Sequence, residues 1–143
     1  MNSIHLICLG VRNIEASLAF YRDGLGFETT AEGQKPAIVF FNNGGSRLEL
    51  FPLENLQKEI GEAAAVASEG FPRFTLAHNT TSKEEVDAML SRAEQAGAIV
   101  VKKAVVQTWG RYSGYFKDPD GFIWEVAYGE DWEFNEQGML VIP

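Results

Sequence analysis

The sequence predicts an α+β protein assembled from two βαβββ modules, eight strands in all. Three observations predict it. A strand pattern, a helix pattern and three further strand patterns occur in that order in residues 1–52, and the same order returns in residues 71–129. Each helix pattern opens on a residue suited to cap free backbone N–H groups, Asn13 in the first half and Ser82 in the second. Each half also closes on a turn glycine with a glutamate four residues later among large apolar residues: Gly45-Ser46-Arg47-Leu48-Glu49-Leu50 and Gly121-Phe122-Ile123-Trp124-Glu125-Val126. Glu49 and Glu125 thus stand half a chain apart, as an internal repeat requires.

The first module opens on the apolar, β-branched run Ile4–Val11, a strand. Ile14, Leu18, Tyr21 and Leu25 then recur at helical spacing, and Gly24 and Gly26 end the helix. Strands are expected near Phe27–Ala31, Pro36–Asn42 and Ser46–Phe51, the last two joined by Asn42-Asn43-Gly44-Gly45, residues that accept positive φ. Leu53, Leu56 and Ile60 are spaced helically ahead of Ala63-Ala64-Ala65, which makes residues 53–70 a helical or partly irregular linker. In the second module Phe74–His78 reads as a strand, and Ser82 with Glu85 forms a capping box. Val86, Met89, Leu90 and Ala93 make an apolar helix face that Gly97 ends. Ile99–Lys103, Arg111–Phe116 and Phe122–Tyr128 complete the strands, with Asp118-Pro119-Asp120-Gly121 as a tight turn. The expected organisation is one domain: module one at 1–52, linker 53–70, module two 71–129 and a C-terminal tail 130–143.

Composition narrows the function. The 143 residues carry 12 Lys+Arg against 20 Asp+Glu, a formal charge of −8, which argues against nucleic acid as partner and leaves room for a cationic ligand. With 45% hydrophobic and 22% charged residues the chain is neither disordered nor a coiled coil. No apolar run approaches the ~20 residues of a membrane helix, and no leader pattern opens the chain, so the expectation is a cytoplasmic protein without membrane partner. The one cysteine, Cys8, cannot form an internal disulfide or a thiolate cluster. The 10 Phe lift aromatics to 12%, more than a core this size needs, so some are available to line a site.

Strand alternation singles out two of the acidic residues. Phe122, Trp124 and Val126 share the face expected under a helix, which leaves Glu125 with Ile123 and Ala127 on the other; Leu48 and Leu50 likewise leave Glu49 with Arg47 and Phe51. If the two sheets curl around a common cavity, both glutamates enter it, a pattern that suits a hard or borderline cation or a base of raised pKa. The alternative is that each is a solvated residue, paired for instance with Arg47.

Leu9-Gly10-Val11-Arg12-Asn13-Ile14, leading through Ala19-Phe20-Tyr21 to Gly24-Leu25-Gly26-Phe27, resembles the first strand and helix of the vicinal oxygen chelate superfamily. That superfamily comprises glyoxalase I, bleomycin-resistance and fosfomycin-resistance proteins and extradiol dioxygenases. Asp118-Pro119-Asp120-Gly121-Phe122-Ile123-Trp124-Glu125-Val126 resembles its closing hairpin, and the likeness spans residues 1–129. It implies a glyoxalase-like fold with the eight strands curved around a cleft, a small-molecule ligand and a homodimer. Glyoxalase-like members hold a divalent metal on up to four ligands, and Glu49 and Glu125 match two of those positions. The other two fall on Leu6 and Phe74, which carry no donor; His5 lies one residue off and so on the opposite face. Zinc, nickel and iron generally take nitrogen or sulfur ligands as well, and the two-His, one-carboxylate iron site is not met.

The remaining site candidates surround these positions. Parity places His78 with Phe74 on the cavity side, as a ligand, a base, a donor or a wall residue. Tyr115 occupies the place of a ligand-contacting tyrosine in fosfomycin-resistance proteins, and Trp109 and Arg111 lie in a glycine-flanked loop at the expected rim. Phe51 and Phe40 or Phe41 complete an apolar lining, Cys8 shares the face of Leu6, and Lys102-Lys103 reads as a solvated strand end. The resemblance implies a glyoxalase/bleomycin-resistance-like protein binding an organic molecule in an aromatic-lined cleft without need of a metal. Its alternative is a lactoylglutathione-lyase-like lyase or isomerase using Glu49 and Glu125, with a divalent metal as the one cofactor.

Overall fold

A computed structural model describes residues 4–60, 74–108 and 110–141. The chain divides into two compact units, Met1–Phe71 and Pro72–Pro143, each with its own sheet.

In the first unit, β1 (Leu6–Val11) runs parallel to β3 (Arg47–Pro52), and β2 (Val39–Phe40) pairs antiparallel with β3, in the order β1-β3-β2. Between β1 and β2 lies α1 (Ile14–Leu18), which continues as a π-helical segment over Ala19–Leu25. The Asn13 side chain accepts the Ala16 N–H at 3.0 Å, the expected cap, and Gly26 ends the segment at φ 83°. Leu9, Val11, Leu18 and Leu50 are fully buried between helix and sheet. They are joined by an aromatic cluster in which Tyr21 contacts Phe20, Phe27 and Phe41 at 5.1, 5.6 and 5.7 Å. The hairpin turn is tied by Asn43, whose side-chain oxygen accepts the Leu48 N–H at 3.1 Å while its amide donates to Ser46 O at 2.7 Å. The strand expected near Phe27–Ala31 reduces to a single bridge, Thr29 to Phe41. Its Thr29 hydroxyl donates to Phe40 O at 2.7 Å and accepts the Ala31 N–H at 3.1 Å, so side-chain bonds replace the ladder. Among the described residues there are therefore seven strands, not eight. The described part of the expected linker is a helix, α2 (Leu53–Ile60); its remaining residues lie outside the described residues.

The second unit holds β4 (Leu76–Thr80), α3 (Lys83–Gln95), β5 (Ile99–Val106), β6 (Tyr112–Lys117) and β7 (Ile123–Tyr128). The sheet order is β4-β7-β6-β5, with β4 parallel to β7 and the other pairs antiparallel. Ser82 caps α3, accepting the Glu85 N–H at 3.1 Å, while Glu85 reaches back to the Thr81 N–H at 2.7 Å. Val86, Leu90 and Ala93 of α3 are buried against the sheet, as are Phe116 and Trp124, which stack at 6.1 Å. The turn before β7 forms as its sequence dictates: Asp118 Oδ1 accepts the N–H groups of Asp120 and Phe122 at 2.9 and 2.8 Å, and Gly121 takes φ 91°. After β7 the chain turns back from Gly129 to Trp132, and Phe134 bridges Leu140. No helix among the described residues is long and apolar enough to cross a membrane.

Candidate functional site

The register of the second sheet fixes which side chains share a face. Tyr115 is opposite Glu125, Ser113 opposite Ala127 and Ala77 opposite Glu125. Gly114 is opposite Val126 and meets Leu90 of α3, so Glu125, Tyr115 and Ser113 lie on the face opposite α3, as alternation along β7 predicts for Glu125. Ser113 and Ala127 form a buried floor there, whereas Tyr115 and Glu125 are half-buried.

The Tyr115 hydroxyl donates to Glu125 Oε1 at 2.7 Å. Burial and this bond to a carboxylate raise the phenol pKa, and the nearby Ser113 hydroxyl, not aligned for a hydrogen bond of its own, opposes them weakly. Tyr115 is thus a fixed donor at neutral pH, occupying one carboxylate oxygen of Glu125 and leaving the other to accept. Lys102, expected to be a solvated strand end, is exposed but sits within β5, with its ammonium 5.9 Å from the Tyr115 ring centre and 2.6 Å from Gln107 Oε1. Gln107 in turn donates to Ser113 O at 2.9 Å. Sequence reasoning missed Lys102 because the register shifts on either side of it, which turn it toward Tyr115, leave no trace in the residue pattern.

Arg111 is held by the C-terminal tail. Its guanidinium lies 2.7 Å from Asp131 Oδ1 and 5.9 Å from the centre of the Trp132 ring. Gly129 makes this possible: a Cβ there would lie 2.7 Å from the Trp132 ring and 2.9 Å from Arg111 Cδ. Gly129 alternates with Ala127 and Glu125, so Arg111, Asp131 and Trp132 stand at one end of the Glu125 face.

Two expected lining residues belong elsewhere. His78 is opposite Val126 and therefore on the α3 side, where the Glu85 carboxylate partly offsets the lowering of its pKa by burial. Phe74 packs its ring 5.9 Å from Phe122, a residue of that same side. The parity expectation failed by one residue, because Leu76 faces α3 and is buried there. Alternation from Ala77 puts Thr75, not Phe74, on the Glu125 face. Trp109 lies outside the described residues.

In the first unit Cys8 is opposite Glu49, and its thiol donates to Glu49 Oε1 at 3.5 Å. Leu6 and Phe40 share this face by register, whereas Phe41 is in the aromatic core. Phe51 is half-buried opposite Gly10, over which Leu53 and Leu56 of α2 close. Arg47 bonds Asn42 rather than Glu49, and Glu49 itself is buried.

The family model of the Glyoxalase/Bleomycin resistance protein/Dioxygenase superfamily matches residues 3–126. The chain belongs to that superfamily. Metallothiol transferase FosB of Shouchella clausii is 30% identical over 131 residues, covering 90% of this chain and 82% of that protein. A glyoxalase-related enzyme from Fulvimarina pelagi matches 99% of both chains at 30% identity with a TM-score of 0.85. Lactoylglutathione lyase from Agrobacterium tumefaciens is 28% identical with a TM-score of 0.65, over 94% of this chain and 99% of that one.

The superfamily implies a divalent metal, and the donors here do not fit one. Leu6 is a hydrocarbon, Thr75 a neutral hydroxyl, Glu125 has one oxygen taken by Tyr115, and Glu49 faces a protonated thiol. Among the described residues no three His, Cys, Asp or Glu side chains form a group able to hold a metal ion.

Proposed function

We propose that the protein binds a small organic molecule against the face of its second unit opposite α3, with Glu125 accepting from an ammonium or other hydrogen-bond donor. The observation that carries this reading is the 2.7 Å bond from Tyr115 to Glu125, which orients a half-buried carboxylate with one oxygen to spare. In such partly desolvated surroundings a charge-assisted bond to a ligand is strong. The Tyr115 ring adds aromatic surface, and the Lys102 ammonium over it occupies the place of a cation that a ligand ammonium would have to displace. The charge of −8 favours a cationic ligand.

Phenethylammonium is a direct calorimetric probe. Glu125→Gln is expected to weaken its binding about ten- to a hundredfold, the worth of a charged hydrogen bond. Tyr115→Phe keeps the carboxylate but frees its rotamers, and should cost about three- to tenfold. Unchanged affinity in Glu125→Gln overturns the reading.

The likeness to lactoylglutathione lyase supports a second reading, a metal-dependent lyase or isomerase that uses Glu49 and Glu125. Metal analysis of protein purified without chelator decides between them. A stoichiometric divalent ion, lost in both Glu49→Gln and Glu125→Gln, replaces the first reading with the second.

We also propose a homodimer. β5 is an edge strand with Ile99 and Val106 exposed at 66% and 62%, and apolar edges are commonly covered in assemblies. Light scattering should give twice the 15.8 kDa chain mass, and a monomer at all concentrations rejects it.

A further inference from the structure

We propose that Asp131, in the tail beyond the stretch matched by the family model, sets the charge selectivity of the Glu125 face by masking Arg111. This rests on the binding reading above. Three charged groups lie on that face. Lys102 stands over Tyr115 with its ammonium bonded to Gln107 at 2.6 Å. Glu125 and the Arg111 guanidinium are the two poles, the latter at the level of Gly129, one residue past the end of β7 and four from Glu125, about 13 Å at ~3.3 Å per residue. Unmasked, Arg111 would make the far pole a receptor for carboxylates or phosphates, since a guanidinium offers paired donors to such groups. Asp131 takes the donors of one guanidinium nitrogen, its two oxygens 2.7 and 2.8 Å from Nη2, and sets its negative charge against the cation. Trp132, accommodated by the bare backbone of Gly129, lies against the guanidinium and keeps it in place independently of Asp131. Glu125 is then the face's unmasked anion, with the Lys102 ammonium engaged by Gln107, and the ligand class selected is an organic cation over an anion of the same shape.

Asp131 is 66% exposed and Arg111 30%, so the pair contributes little to stability and Asp131→Asn should fold normally. The test compares phenethylammonium with 3-phenylpropanoate, similar in shape and opposite in charge, by calorimetry at low salt. The wild-type protein is expected to prefer the ammonium by about tenfold or more. In Asp131→Asn the ratio should move about tenfold toward the carboxylate, and adding Arg111→Ala should return it. Asp131→Ala serves as a second variant. A ratio unmoved by either Asp131 substitution, or a shift that survives Arg111→Ala, overturns the proposal while leaving Glu125 as the ligand group. Equal affinity of the wild type for both probes, or for neither, overturns it too. Loss of ammonium binding in Glu125→Gln reports separately on the binding reading.

Discussion

Gly114→Val is expected to prevent the second unit from folding, and Gly114→Ala alone to cost about 3 kcal/mol, a drop in melting temperature of roughly 10 °C. A Cβ at Gly114 would lie 2.6 Å from Leu90 Cδ1, 2.8 Å from the Ala104 nitrogen and 2.9 Å from the Lys102 carbonyl oxygen. The leucine methyl can rotate away; the two backbone atoms of β5 cannot. They come so close because β5 shifts register on both sides of Lys102, and only a residue without a side chain tolerates that approach. Gly10 is the contrast. Its Cβ would meet Leu53 Cδ1 at 2.9 Å and Leu56 Cδ2 at 3.1 Å, the ends of flexible side chains, so Gly10→Ala should cost less than half as much. Thermal unfolding followed by circular dichroism checks both. Equal melting temperatures for the two alanine variants would show that the close approach to β5 is not the constraint.

The fold was legible where local chemistry and global packing agree. Asn13 and Ser82 cap their helices, Asn43 ties its hairpin, and Asp118 with Gly121 forms the turn ahead of β7. The strand near Phe27 was misread because Thr29 gives the backbone a side-chain alternative that composition does not distinguish from a ladder.

The site was legible only in part. Alternation placed Glu125 on the face opposite the helix and the resemblance pointed to Tyr115; it is the register of β6 on β7 that sets the two opposite each other. Alternation misplaced His78 and Phe74, because β4 has an apolar residue at both parities near its start and nothing local sets which one faces α3. Asp131 and Trp132 lay in the tail, outside any strand pattern. The one local sign was Gly129, whose missing side chain makes room for Trp132 three residues on.

Cys8 is expected to react with iodoacetamide about tenfold more slowly at neutral pH than an unhindered cysteine, although the residue is exposed. Its pKa is raised from 9.0 to about 11, first by burial around the sulfur and then by Glu49, both as a charge and as acceptor of the thiol hydrogen. A rise from 9.0 to about 11 means about a hundredfold less thiolate at neutral pH, and the greater nucleophilicity of the more basic thiolate recovers about tenfold of that, leaving roughly tenfold. The rate should keep climbing to about pH 11 instead of levelling near 9. Glu49→Gln removes the carboxylate that opposes ionisation, so the pKa falls and the neutral-pH rate rises; burial remains, so the shift is partial. Stability carries the same sign. Above pH 9 the unfolded chain loses the thiol proton first, so stability present below pH 9 declines up to about pH 11. A profile that levels near 9, or a rate indifferent to Glu49→Gln, would mean the thiol does not face Glu49. That outcome would also free Glu49 to act as a ligand group, which the thiol contact now argues against.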